Sequence, residues 1–86
     1  MGIPIVHVTI IRQMIFPDGV VFRLFEIMSS GVQWTTQKQH AHNSKGAGMG
    51  WIESESRFDS QIVALEYFEK ITNEYQIEFA RNTNEV

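Results

Sequence analysis

Residues 5 to 28 read IVHVTIIRQMIFPDGVVFRLFEIM, two β-branched and aromatic runs around Pro17-Asp18-Gly19. Proline presets φ and glycine accepts a positive φ without steric cost, so the tripeptide is a turn and the runs form a hairpin. On the first strand, Ile3 to Phe16, the residues Val6, Val8, Ile10, Met14 and Phe16 fall on one side of a period-2 ladder that Arg12 interrupts. His7, Thr9 and Gln13 fall on the other side, mixed with Ile5, Ile11 and Ile15. The second strand, Val20 to Met28, adds Val21, Phe25 and Ile27 to the second face. Both faces of the hairpin are therefore apolar, and the fold must find cover for both.

Ser29-Ser30-Gly31 makes the next turn, and Val32 to His42 reads as a third strand. Gln33, Thr35, Gln37 and Gln39 alternate with Val32, Trp34, Thr36, Lys38 and His40, so only the beginning of this strand is expected to reach a core. Trp51 to Phe58 alternates again, with Trp51, Glu53, Glu55 and Arg57 on one face and Ile52, Ser54, Ser56 and Phe58 on the other. Asp59-Ser60 supplies an N-cap. Beyond it Ala64, Phe68, Ile71, Tyr75 and Phe79, widened by Leu65 and Thr72, recur at helical spacing. This predicts a helix of about 22 residues, roughly 33 Å long. Asp59 and Arg81 suit the two ends of its dipole, and Glu66 with Lys70 forms an i,i+4 pair.

The fold class follows: α+β, a four-stranded antiparallel meander with one long C-terminal helix packed on one face, ββββα. Residues 1–82 form a single domain and residues 83–86 a frayed tail. One helix covers one face. The surplus on the other is met by a second subunit, by a partner, or by a curled, barrel-like sheet that buries its own second face.

An 86-residue chain buries only about 60–65% of the surface its unfolded form exposes. Without cysteine there is no disulfide framework and no thiolate zinc site, which leaves oligomerisation as the remaining supplement to the core. The net charge of −3 is uneven. Lys38 and Lys45 make the middle weakly positive, whereas residues 51–86 carry eight acids against Arg57, Lys70 and Arg81. That balance argues against a broad nucleic-acid face and suits an acidic surface that meets a basic partner. The opening MGIPIVHVTIIRQMIF lacks a basic leader and a cleavage site. Its apolar run stops at Arg12, short of the ~20 residues that span a bilayer. A soluble, cytoplasmic protein with no membrane partner is expected.

Residues 39–51, QHAHNSKGAGMGW, hold the polar candidates. His40 and His42 stand at i and i+2, so on a strand two imidazoles could share a metal with Glu53 or Glu55 as third ligand. No third ligand is firmly placed, so a wet hairpin end is the preferred reading, and no cofactor is expected. Glu53 and Glu55, roughly 7 Å apart along one strand, read as a solvated face rather than a catalytic pair. His7 reads as a partly buried, hydrogen-bonded side chain in an apolar strand. Gly46-Ala47-Gly48-Met49-Gly50 lacks the Gly-Lys-Ser/Thr order of a phosphate loop and precedes a strand instead of a helix. It reads as a hairpin tip that offers Lys45 and Met49 for binding. No serine stands in a recognisable nucleophile setting, and an enzyme is not expected. Trp34 and Trp51 either fill the core beneath the helix or supply one exposed partner anchor, and symmetric pairing around the loop could bring them together.

From Val21 onward, the order FRLFEI, VQWTTQ, GAGMGW and RFDSQIVALEYFEKI resembles the layout of WGR domains. Those domains have strand pairs around a Gly-containing hairpin, an aromatic-Asp/Gly-Ser helix start and an Ala-x-x-x-Phe helix. The matching residues here are Phe58, Asp59, Ser60, Ala64 and Phe68. WGR domains contact nucleic acid or neighbouring domains around the arginine of their Trp-Gly-Arg triplet. In this chain Trp34 is followed by Thr35 and Thr36, and the helix is acidic, so DNA binding does not carry over.

The expected function is that of a small non-catalytic protein-interaction module, homodimeric, of the accessory, adaptor or inhibitor-like kind found in phages and mobile elements. Its partner-binding residues are expected among Trp34, Gln37, Lys38, His40, His42, Lys45, Met49 and Trp51. The alternative is a nucleic-acid-binding module that uses Lys38, His40, His42, Lys45 and Trp34, which the acidic charge disfavours. A metal site at His40 and His42 is the third.

Overall fold

The computed structural model describes residues 6–40 and 50–84. Its elements are β1 (His7–Ile15), β2 (Val20–Met28), β3 (Val32–His40), β4 (Trp51–Phe58) and α1 (Gln61–Asn84). The strands form one antiparallel sheet in the order β1-β2-β3-β4. The architecture is ββββα. The sheet is open, with β1 and β4 as its two edges, so the barrel-like alternative does not form.

The first hairpin is set by its turn. Gly19 N–H donates to Phe16 O at 3.0 Å and Phe16 N–H to Val20 O at 2.9 Å. Gly19 has a φ of 94°, which a side chain would resist. Asp18 Oδ1 accepts from Val20 N–H at 3.0 Å and braces the far side of the turn. The register that results sets Gln13 opposite Arg23, Met14 opposite Phe22 and Ile15 opposite Val21.

Ser60 caps α1: its carbonyl accepts from Ala64 N–H at 3.0 Å and its hydroxyl from Val63 N–H at 3.4 Å. Ala64 and Phe68 then bury against Phe16, Val20, Phe22 and Leu24, while Leu65, Ile71, Tyr75 and Phe79 complete the stripe half-buried. The Phe16 ring meets Phe22 and Tyr75 edge-on, at centroid distances of 5.8 and 4.7 Å. Thr72 lies within this stripe, buried, and donates to Phe68 O at 2.8 Å, so its hydroxyl costs the core little.

Two expectations of face fail for one reason. A β-bulge on β1 shifts the register between Ile10 and Arg12, and a second on β4 opposes Lys38–Gln39 with Ser54–Ile52. One extra residue reverses the side-chain alternation beyond it. Val6, Val8 and Ile10 therefore leave the helix side, where Ile11, Met14 and Phe16 pack. On β4, Glu53 is the inserted residue and joins Trp51 on the helix side, while Glu55 and Arg57 point to the other. The ladder that Arg12 interrupts is two ladders on opposite faces.

Other differences follow from where the helix lies. His7 is exposed, because α1 crosses β2, β3 and β4 and leaves the β1 edge uncovered. In β3 the buried residues are Thr35 and Thr36 in the middle, whereas Val32 at the beginning is exposed. The helix continues through Asn84. None of the described helix is long and apolar enough to cross a membrane.

Candidate functional site

The polar residues singled out in the third and fourth strands divide between the two faces. On the helix side, the β4 bulge aims Glu53 at β3, where His40 Nε2 lies 2.7 Å from its Oε1 and Lys38 Nζ 2.9 Å from its Oε2. The bonds to His40 and then Lys38 hold the Glu53 carboxyl below the usual carboxylate range. Trp51 stacks on His40 at 4.1 Å with 8° between planes, its outer surface 56% exposed. Lys38 Nζ also sits 5.0 Å from the centre of the Tyr75 ring. Tyr75 donates to Asp18 Oδ2, which ties the helix to the first hairpin. Burial, and next the Asp18 bond, push the Tyr75 hydroxyl up to about 12.

This cluster is closed on itself: the Glu53 carboxylate pairs with Lys38 and bonds to His40. His40 turns its Nε2 toward Glu53, and among the described residues no group of three metal-ligating side chains assembles. His42, Lys45 and Met49 lie outside the described residues. The two tryptophans do not meet. Trp34 pairs with Phe58, packs half-buried against the core and donates from Nε1 to Glu26 Oε2 at 3.2 Å, while Trp51 pairs with His40 at the other end of β3.

The opposite face of the sheet carries a second arrangement. Arg23 donates from Nε to Gln13 Oε1 and from Nη1 to Gln39 Oε1, both at 2.7 Å. Gln39 donates to Gln37 Oε1 at 2.6 Å, Gln37 to Glu55 Oε2 at 3.0 Å, and Arg57 to Glu55 Oε1 at 3.1 Å. The chain of bonds crosses all four strands as a polar belt. Toward one end of the sheet lie Val8 and Ile10, 56% and 51% exposed, beside the half-buried Phe25 and Ile27. Toward the other end lie Ile15 and Ile52, 63% and 51% exposed, flanking the buried Val21 and the half-buried Gln39. Beneath Phe25, its cross-strand neighbour, Thr35 is buried with an unpartnered hydroxyl.

Of the belt, only Gln37 stood among the expected partner-binding residues. Gln13 and Arg23 were legible in principle, since pairing the first hairpin symmetrically about Asp18 already sets one against the other. What the sequence hid was Glu55, whose face depends on the bulge at Glu53. Compared with known proteins, the chain matches no family model, no curated protein and no solved structure.

Proposed function

We propose that the chain is a non-catalytic protein-interaction module that docks through the open face of its sheet. One observation carries this reading: Val8, Ile10, Ile15 and Ile52 stand more than half exposed on a single face around a pre-bonded polar belt. Exposed apolar side chains set around ordered polar groups are how protein interfaces are built. The belt residues satisfy one another before any partner arrives, which lowers the ordering cost of binding. The lack of cysteine supports a reducing cytoplasm as the setting. The nucleic-acid alternative draws less support, because Glu53 neutralises Lys38 and pairs with His40, and Trp34 packs against the core.

The test is in-cell cross-linking followed by mass spectrometry, run on the native chain and on the double variant Val8→Glu/Ile10→Glu. Cross-linked partners, a second copy included, are expected to vanish in the variant. A cross-link pattern that survives both substitutions would falsify the open-face reading.

A further inference from the structure

We propose that the occupant of the open face is a second copy of this chain, packed face to face about a two-fold axis running along the strands. The inference rests on the interaction reading above and names its partner. The first argument is area. Four strands spaced ~4.8 Å apart and about nine residues long make a face of roughly 19 by 30 Å. Two such faces bury about 1,100 Å², above the ~1,000 Å² that a specific interface requires. A single short peptide strand would leave most of that face wet.

The second argument is charge. Arg23 is half-buried and held by two neutral glutamines, with no carboxylate partner among the described residues. Glu55 lies two strands away on the same belt, where it accepts from Gln37 and pairs with the more exposed Arg57 of its own copy. A two-fold axis along the strands lays β1 over the partner's β4 and β2 over the partner's β3. Arg23 then projects onto Gln37 of the second copy, one strand spacing from its Glu55, and the same contact repeats in reverse. The same operation sets Ile15 over Ile52, two exposed side chains at one level of the sheet. An axis across the strands at the level of the belt would instead lay Arg23 on its own copy, which like-charge repulsion disfavours. The remaining exterior of the helix carries Glu66, Glu69, Glu74 and Glu78 against Lys70 and Arg81, which discourages self-pairing on that side.

The test is sedimentation equilibrium of the full chain with two charge reversals, Arg23→Glu and Glu55→Arg. The native chain is expected to be a dimer at ~100 µM, a concentration that populates dimers with micromolar Kd. Each single variant is expected to dimerise at least about tenfold more weakly, since both reciprocal contacts become like-charged. An equimolar mixture of the two variants is expected to recover a one-to-one dimer, because both contacts are again opposite in charge. That recovery also shows that both variants are folded. A monomeric native chain, or single variants that dimerise as well as it does, overturns the proposal, as does a mixture that stays monomeric. If the native chain is monomeric yet a different protein is lost from the Val8→Glu/Ile10→Glu cross-links, self-pairing falls and the interaction reading stands. If those cross-links are also unchanged, both fall.

Discussion

The helix-covered face and the open face of the sheet are made from alternate residues of the same strands, and they satisfy their polar groups in different ways. On the covered face, Phe22 and Leu24 of β2 pack on Ala64 and Phe68, with Thr36 of β3 buried beside them. At its buried centre Thr72 bonds locally, to Phe68 O, and the cross-strand polar pairs of this side, Glu53 with Lys38 and His40, lie at the periphery of the core. On the open face, Gln13, Arg23, Gln37, Gln39 and Glu55 bond to one another across strands, and the apolar residues are left at either end. Burial holds the first face together and hydrogen bonding organises the second. Side-chain parity alone thus gives one sheet a packed face and a hydrogen-bonded face.

The comparison breaks most readily at Leu24, fully buried on the covered face. Leu24→Ala is expected to cost about 2–5 kcal/mol in urea unfolding, a large share of the ~5–15 kcal/mol typical of a domain. Ile15→Thr on the open face is expected to shift the monomer by no more than ~0.5 kcal/mol. Equal losses at the two positions would show that the open face is also a core.

Tyr75→Phe removes the bond to Asp18 that ties α1 to the first hairpin, and is expected to cost about 1 kcal/mol in the same assay. The folded pKa of Tyr75 is raised from 10.0 to about 12, so its contribution is present below pH 10 and is lost as pH rises toward 12. The melting temperature of the native chain should fall over that window, and the phenylalanine variant should fall less steeply.

Thr35→Val tests the open side in the other direction. The Thr35 hydroxyl is buried without a partner, so an isosteric methyl is expected to stabilise the domain by up to about 1 kcal/mol. A destabilised valine variant would mean that the hydroxyl has a partner in solution.

The smallest effect is expected at Glu53, whose ion pairs are exposed. Its folded pKa lies below the unfolded 4.5, so its contribution is present above that value and lost as pH falls through the folded pKa. Glu53→Gln should leave stability at pH 7 changed by less than ~1 kcal/mol and should flatten the acid limb of a stability-against-pH curve. An unchanged acid limb would show that other carboxylates set it.

Much of the fold was legible because its signals are local. Pro17-Asp18-Gly19 encodes its own turn, Asp59-Ser60 its own cap, and Ala64 through Phe79 their stripe; each appears where its residues direct. The candidate site was legible only in part. Lys38, His40 and Trp51 do come together, but through Glu53, whose insertion turns it to the helix side, where it bonds to Lys38 and His40. The belt escaped notice because glutamine has no recognisable motif; it becomes a network only when registers across three strand pairs align Gln13, Arg23, Gln37 and Glu55.

By itself, the amino-acid order determined four strands and a helix, the turn and cap between them, and an apolar surplus that one helix leaves uncovered. The tertiary structure decided which residues form that surplus. The reason is the period of two in a strand. A single inserted residue, Ile11 on β1 or Glu53 on β4, reverses every face beyond it, and whether it inserts depends on pairing with a strand elsewhere in the chain.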